Sequence, residues 1–167
     1  MFINGFDILW DEVDDYVADI QSIRSIDQLM FTKPVTFFCG ENGSGKSTLL
    51  EALAIKNGLN PEGGTRNYSF STYDSYSDLH NHMRLWRSRK PDWMYFLRAE
   101  SFYNVATKEM EYSGVFSERY HDQSHGQSFF SVLMKQTNKN GLYLLDEPET
   151  ALSCQNQLAL LYLIQSC

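Results

Sequence analysis

Apolar and polar residues form a small number of distinct blocks along the chain. Residues 35–39, 93–97 and 142–145 are continuous apolar runs, the pattern of strands buried on both faces of a sheet. Helix-forming residues at 47–55 follow the first run after a glycine-rich interval, and apolar residues recur at helical spacing within 129–134 and 158–162. The pattern predicts an α/β fold, a mostly parallel sheet flanked by helices, with both helical stripes packed into the core.

Residues 65–90 follow a different pattern. Aromatic residues recur between positions 68 and 76 in a Ser- and Thr-rich stretch, and Leu79, Met83 and Trp86 follow at nearly helical spacing. We expect a small antiparallel β excursion and then a short helix. For the aromatic residues, strand packing is favoured over a base-stacking surface. For the basic cluster at 84–90, a solvated helix end is favoured over a phosphate or partner site.

Length and charge restrict the function classes. A chain of 167 residues predicts a single domain spanning 1–167, in which about 60–125 forms an inserted β/helical region. The net charge of −7 leaves nucleic-acid binding possible but unsupported. Three cysteines without metal-ligand spacing, an acidic N-terminal region and the lack of an apolar run near ~20 residues predict a cytoplasmic protein without membrane insertion.

The sequence at residues 40–47 matches G-x-x-x-x-G-K-[ST], between a predicted strand and a predicted helix. Glycines let successive backbone N–H groups point inward, and a helix N-terminus adds partial positive charge, so this pattern predicts a nucleotide phosphate site. Lys46 is expected to reach the β- and γ-phosphates, and the Ser47 hydroxyl to bind Mg²⁺. The predicted ATP-binding residues here are Gly40, Glu41, Asn42, Gly43, Ser44, Gly45, Lys46, Ser47 and Thr48.

A pair of acidic residues ends the last apolar run. Asp146 follows residues 142–145 directly, where a P-loop protein holds its second Mg²⁺ contact. Glu147 is placed to orient and polarise water for attack on the γ-phosphate, and with Lys46 it completes the predicted catalytic pair. Glu149 is the next candidate for the catalytic carboxylate. The competing interpretation is a strand that ends in solvated acids.

The run Asp-Glu-Pro-Glu at 146–149 resembles the end of the Walker B strand in ABC and SMC-like ATPases, and residues 150–153 occupy the place of the D-loop. Residues 123–127, Gln-Ser-His-Gly-Gln, are similar to the ABC signature, with His125 in place of its first glycine. Gln127 lies 19 residues before Asp146 (146 − 127), close to the spacing in that family.

The resemblance implies a nucleotide-sandwich homodimer. In that family, the signature of one subunit closes over the γ-phosphate bound by another, so Ser124, Gly126 and Gln127 become further ATP-binding residues. Segments 34–38, 60–64, 96–102 and 141–149 resemble more narrowly a group of small bacterial predicted AAA/ABC-type ATPases. That resemblance covers nearly the whole chain and leaves the physiological role and any further protein partner open.

Two departures from the wider ABC pattern affect the expected activity. No glutamine occupies the Q-loop place, for which Glu100 is the candidate, and all four histidines precede the strand at 142–145, so the switch histidine is missing. We expect the chain to lack the last strand of the core, to hydrolyse ATP slowly at best, and to self-associate through an uncovered sheet edge and apolar surface.

Four alternative functions compete with ATP hydrolysis by a soluble dimer. An ATP-binding subunit of an ABC transporter and a nucleotide-binding protein with little hydrolysis are the main ones. A small-molecule kinase ranks last, because it would not need the acidic run at 146–149. A GTPase is unsupported, because Gly141 stands where the guanine motif N-K-x-D has its aspartate.

Overall fold

The computed structural model describes residues 1–66, 76–101, 134 and 140–165. Within these residues the chain is a mixed α/β arrangement with two small sheets. The strands are β1 (Ile3–Ile8), β2 (Gln28–Met30), β3 (Met83–Arg87), β4 (Trp93–Arg98) and β5 (Gly141–Asp146). The helices are α1 (Gln21–Arg24), α2 (Lys46–Lys56), α3 (Leu79–His82) and α4 (Cys154–Gln165), and 3₁₀ turns occupy Trp10–Glu12, Tyr16–Asp19 and Pro148–Ala151.

An antiparallel sheet with the order β2-β1-β3 contains the N-terminal strand. Gly5 lies opposite Trp86, and a Cβ on Gly5 would lie 3.2 Å from the Trp86 ring and 2.3 Å from the Leu29 carbonyl oxygen. The prediction of a helix through residues 79–86 is wrong in its second half, because the helix ends at His82 and Met83 begins β3. Pairing with β1 overrides the helical spacing of the apolar residues.

A parallel pair, β4 and β5, forms the second sheet, in register from Trp93↔Gly141 to Arg98↔Asp146. Both strands lie where continuous apolar runs predict them. Phe96 is fully buried and also bridges to Gly64. The described residues form this one parallel pair and no larger parallel sheet, so the mostly parallel core sheet is not observed in that part of the chain.

The segment at residues 35–39 is not the strand that its apolar run predicts. Among the described residues it joins neither sheet, and Val35 and Phe37 are 38% and 64% exposed. Only Phe38 packs on the core, with its ring edge-on to Phe31 at 6.4 Å. An apolar run identifies a segment that can pair, but ladder formation needs a partner strand beside it.

Helix α2 follows the glycine-rich segment at residues 40–45, and hydrogen bonds fix its C-terminal end. Gly58 N–H donates to Ile55 O and Leu59 N–H to Ala54 O, a Schellman ending. Arg66 donates to Asn57 O, and Arg87 donates to Lys56 O and Asn57 Oδ1. Two guanidinium groups therefore cover the negative end of the helix.

The basic cluster at 84–90 lies on and after β3, so the predicted helix end is wrong. Arg84 pairs with Asp7 at 2.9 Å, and Arg89 lies over the Phe2 ring, 4.5 Å from its centroid. Arg87, the last residue of β3, donates to the C-terminal end of α2. Three cationic side chains of the cluster therefore contact other residues of this chain.

The predicted core stripe of α4 faces outward. Leu158, Leu161 and Tyr162 are 68%, 56% and 76% exposed, whereas Leu160 is buried in a cluster with Tyr95 and others. The helix is apolar on both sides, so the spacing of its apolar residues did not decide which face would be buried. The other stripe, at 129–134, lies outside the described residues except for Met134, which is 37% exposed. No helix in the described ranges combines the length and apolarity needed to cross a membrane.

Candidate functional site

The glycine-rich segment at residues 40–45 forms a tight loop that leads into α2. Ser44 N–H donates to Glu41 O, and Gly43 and Gly45 have φ angles of +79° and +80°. For a residue with a Cβ atom, this left-handed backbone conformation costs roughly 1–2 kcal/mol. The two glycines therefore allow the curled backbone that the sequence motif predicts.

Residues 20–23 pack against this loop. A Cβ on Gly45 would lie 2.4 Å from Ile23 Cδ1 and 3.1 Å from Ile20 Cγ2. Ser22 Oγ donates a hydrogen bond of 2.6 Å to Ser44 O. Helix α1 therefore fixes the loop by close packing at Gly45 and by one hydrogen bond at Ser44.

Lys46 lies over the loop that precedes it. Its ammonium group donates to Gly40 O at 2.9 Å and to Glu41 O at 2.8 Å. It also borders a cavity of about 340 Å³. The lining residues are Tyr16, Ile20, Asn42, Gly43, Gly45, Lys46, Ser47, Thr48 and Glu147. Six of the nine predicted loop residues therefore share one cavity with the predicted catalytic carboxylate.

Ser47 lines the cavity and is in direct contact with Asp146, which comes from a distant part of the chain. Ser47 Oγ donates to Asp146 Oδ1 at 2.9 Å, and Asp146 is 5% exposed. Burial raises the pKa of the Asp146 carboxyl above its ordinary value, and the Ser47 hydrogen bond and the Arg98 charge partly oppose that rise. The two residues that the sequence predicts as metal ligands are therefore in direct contact.

The donor pair fits Mg²⁺. A hydroxyl and a carboxylate are hard oxygen ligands of the kind this cation takes. Among the described residues, no group of three or more His, Cys, Asp or Glu could hold a metal by itself. A cation at Ser47 and Asp146 would therefore complete its shell with water and phosphate oxygens, which is the usual arrangement for Mg²⁺.

Three carboxylates surround the Arg98 guanidinium beside this pair, and we call Glu51, Glu100 and Asp146 the carboxylate cluster. Arg98 Nη1 donates to Glu51 Oε2 at 2.7 Å, and its Nη2 lies 3.6 Å from Glu100 Oε2. Burial raises the pKa of Glu51, against the opposing charge of Arg98. Glu100, the candidate for the Q-loop position, has a side chain that is 83% exposed and contacts Arg98.

Glu147 has an unusual backbone conformation. Its φ and ψ angles are 47° and 46°, and it is the one non-glycine residue with positive φ in the described part of the chain. Such conformations cost about 1–3 kcal/mol and concentrate at functional sites. The alternative carboxylate, Glu149, lies in the following 3₁₀ turn and does not line the cavity.

Several cavity residues have no counterpart in the sequence predictions. Tyr16 stands at the rim and is 52% exposed, and the Asp15 carboxylate accepts hydrogen bonds from Tyr16 N–H and Asp78 N–H. The sequence predictions also omit Glu51 and Arg98, which lie beside Asp146 and not in the cavity lining. The available signals were the spacing of Glu51 from Ser47, which puts both on one helix face, and the position of Arg98 directly after a buried strand.

The predicted signature residues Ser124, Gly126 and Gln127 lie outside the described residues. A larger groove of about 500 Å³ lies elsewhere, between residues 33–37 and α4. Its lining is mainly apolar and includes Val35, Phe37 and Leu161. The smaller cavity at the loop is the one that combines a helix N-terminus, an ammonium group and a carboxylate.

The loop and the residues that pack against it lie in the part of the chain that resembles known proteins. Residues 18–80 match a family model described as an AAA domain. The match supports an AAA- or SMC-like P-loop ATPase relationship, in a family whose members usually bind ATP with Mg²⁺ and hydrolyse it. It includes the loop and α2 but ends before β4 and β5. No curated protein and no solved structure matches the chain.

Proposed function

We propose that this chain binds ATP with Mg²⁺ at the loop formed by residues 40–48 and hydrolyses it. The supporting observation is the 2.9 Å contact between Ser47 Oγ and Asp146 Oδ1, because Ser47 lines the same cavity as Lys46 and Glu147. Contacts between residues 99 apart in sequence depend on the folded chain, so they are independent of the sequence motif itself.

In this proposal the loop amides and the α2 N-terminus bind the phosphate oxygens. Lys46 turns its ammonium group from the Gly40 and Glu41 carbonyls towards the β- and γ-phosphates. Ser47 and Asp146 hold Mg²⁺, which when bound neutralises the charge that develops on the phosphates. Glu147 orients a water molecule and takes up its proton as the water attacks the γ-phosphorus. The bond from the γ-phosphorus to the β–γ bridging oxygen breaks, and ADP leaves with phosphate as the other product.

Tyr16 supplies the contact to the base. Tyr16 is half exposed and lines the cavity together with Ile20. Stacking of a base on an aromatic ring contributes about 1–3 kcal/mol. We expect Tyr16→Ala to weaken ATP binding by roughly that amount and to leave the binding of inorganic tripolyphosphate unchanged. Tyr162→Ala, at an exposed tyrosine on α4, is the control, and equal losses for both ligands would refute the base contact.

A second copy of the chain completes the site. Lys46 is the one cationic side chain among the described lining residues, so the charge of a triphosphate calls for further donors. The resemblance of residues 123–127 to the ABC signature assigns these donors to Ser124, Gly126 and Gln127 of a second copy. The active species is then a homodimer with two ATP molecules at its interface.

Calorimetry of ATP binding in the presence of Mg²⁺ tests the proposal. Lys46→Ala should bind ATP at least tenfold more weakly, because a charge-assisted hydrogen bond contributes about 1.5–3 kcal/mol. Lys56→Ala, the same change at the far end of α2, should bind like the wild type. Wild-type affinity in Lys46→Ala would overturn the phosphate site.

Glu147→Gln separates hydrolysis from binding. This change preserves shape but removes the base, so we expect unchanged ATP affinity, no turnover, and an ATP-dependent dimer in light scattering. Turnover at the wild-type rate in this variant would transfer the catalytic role to another residue, with Glu149 tested next. Absence of turnover in the wild type would support the non-hydrolysing alternative.

A further inference from the structure

Arg98 connects the two elements that form the proposed metal site. It is the last residue of β4 and pairs in register with Asp146, the last residue of β5. Its Nη1 also donates to Glu51 Oε2 at 2.7 Å. Glu51 lies four residues after Ser47 (51 − 47) on α2, so both face the ends of these strands. One guanidinium therefore links α2, β4 and β5.

The two oxygens of the Asp146 carboxylate have different partners. Oδ1 accepts the hydrogen bond from Ser47, and Oδ2 lies 3.5 Å from Arg98 Nε. The terminal torsion of an aspartate is broad and roughly two-fold, so contacts to both oxygens are needed to fix its rotation. Arg98 provides the contact on the side that faces away from Ser47.

Arg98 Nε is also a buried donor without a hydrogen-bond acceptor. Its contact with Asp146 Oδ2 is an ion pair at 3.5 Å, longer than a hydrogen bond to a carboxylate, which is about 2.7–2.9 Å. A buried donor without an acceptor is costly, so a small approach of Asp146 to Arg98 is favourable. The guanidinium therefore holds an unused donor that lies 3.5 Å from the carboxylate.

The charges leave the site attractive to a cation. Three carboxylates surround one guanidinium, which gives a net charge of −2 for these side chains in their ionised forms (1 − 3). Arg98 therefore reduces the mutual repulsion of Glu51, Glu100 and Asp146 without cancelling their negative potential. Its main effect on a bound cation is the orientation of Asp146.

We propose that Arg98, held in place by Glu51, is a positioning residue that orients the Asp146 carboxylate for Mg²⁺ binding. The inference rests on the proposed function, because it needs Mg²⁺ at Ser47 and Asp146. Outer partners that orient a metal ligand typically change metal affinity by 10–100-fold when they are removed. A purely structural ion pair would instead contribute to stability alone.

The test compares ATP binding in excess Mg²⁺ with ATP binding in excess EDTA, both by calorimetry on the full chain. The ratio of the two dissociation constants is the magnesium gain. We expect Arg98→Gln to lower the magnesium gain at least tenfold and to leave the affinity in EDTA unchanged. Arg98→Lys retains the charge but loses the planar fork, so it should fall between Arg98→Gln and the wild type.

Two further variants separate orientation from folding. Glu51→Gln releases Arg98 and should lower the magnesium gain in the same direction, and the double variant should fall no further than Arg98→Gln, because both act through one contact. Arg84→Gln breaks the exposed ion pair with Asp7 on the other sheet and should leave the magnesium gain unchanged. If Arg98→Gln fails to fold, Arg98→Lys and Glu51→Gln decide by the same measurement.

The outcomes separate this inference from the proposed function. A wild-type chain that binds ATP without any magnesium gain overturns both. A wild-type magnesium gain that persists undiminished in the Arg98 and Glu51 variants overturns the positioning role alone, even if their melting temperatures fall.

Discussion

The loop at residues 40–45 and the carboxylate cluster both adjoin the Ser47–Asp146 contact but are stabilised in different ways. The loop consists of backbone groups, with two glycines at positive φ, of which Gly45 packs against Ile20 and Ile23. The carboxylate cluster consists of charged side chains around Arg98, with Glu51 and Asp146 largely buried. The loop depends on steric fit, and the cluster depends on charge balance.

This difference determines how each region responds to mutation. A methyl group is enough to damage the loop, whereas a change of protonation should leave its geometry intact. The carboxylate cluster should tolerate neutral substitutions of similar shape in the ligand-free protein, because ionising a buried carboxylate costs free energy. Stability measurements on ligand-free variants can therefore separate the two kinds of support.

The largest effect is expected for Gly45→Ala. The left-handed backbone costs the new residue roughly 1–2 kcal/mol, and forcing its Cβ against Ile23 adds about 1–3 kcal/mol. Gly43→Ala is the matched control, because Gly43 has the same φ but no atom within 4 Å of an added Cβ. We expect it to lose only the backbone contribution when the free energy of unfolding is measured in urea.

Ile23→Val offers a partial rescue of Gly45→Ala, since it removes the Cδ1 atom that lies 2.4 Å from the added Cβ and leaves the Cγ1 atom at 2.8 Å. Equal losses for Gly43→Ala and Gly45→Ala, without any rescue, would show that close packing against α1 does not constrain the loop.

A smaller effect, in the opposite direction, is expected at Glu147. Its φ of 47° gives this carboxylate residue a backbone like that of the loop glycines. Glu147→Gly should be more stable than Glu147→Ala by about 1 kcal/mol, because only glycine adopts this conformation without strain. Both variants lack the carboxylate, so thermal unfolding of the pair isolates the backbone contribution. A more stable Glu147→Ala would contradict the strain.

The smallest change is expected in the pH dependence of Asp146→Asn. Burial raises the pKa of Asp146 above its ordinary value of 3.8, so the folded state binds the proton more tightly than the unfolded state. The resulting stability is fully present below pH 3.8 and is lost as the pH rises through the raised pKa. Asp146→Asn should therefore lose less stability between acidic and neutral pH.

The control for this prediction is Gly43→Ala, which alters no titratable group and should follow the pH profile of the wild type in parallel. Urea unfolding of the ligand-free proteins at a series of pH values is the measurement. A steeper decline in Asp146→Asn than in the wild type would mean that ionised Asp146 is net stabilising, through Ser47 and Arg98.

The two regions also differ in how far the sequence predicts them. The loop residues are contiguous and glycine is chemically distinctive, so the motif at 40–47 predicts both the conformation and the chemistry. Strands β4 and β5 are predicted because each is a continuous apolar run. Glu51 and Arg98 depend on the pairing of these strands and on how α2 packs against them, which no local pattern contains.

The wrong predictions for residues 35–39 and for α4 also arise because local patterns do not contain long-range packing. Residues 35–39 are apolar enough for a strand, but a strand also needs a partner strand beside it. The local sequence does not show whether such a partner is present. Helix α4 is apolar on two faces, so its pattern allowed Leu158 and Leu161 to be buried when Leu160 is buried instead. Long-range packing decided each case.

The long sequence separation between Ser47 and Asp146 has a consequence for the order of folding. The contact closes a loop of 99 residues, whereas the hydrogen bonds of α2 are local. The contact should therefore form late, and weakening it should speed unfolding more than it slows folding. During synthesis, α2 ends 90 residues before Asp146 (146 − 56). At about 5–20 residues per second, roughly 5–18 seconds separate the synthesis of α2 from that of Asp146, the partner of Ser47 in the proposed metal site.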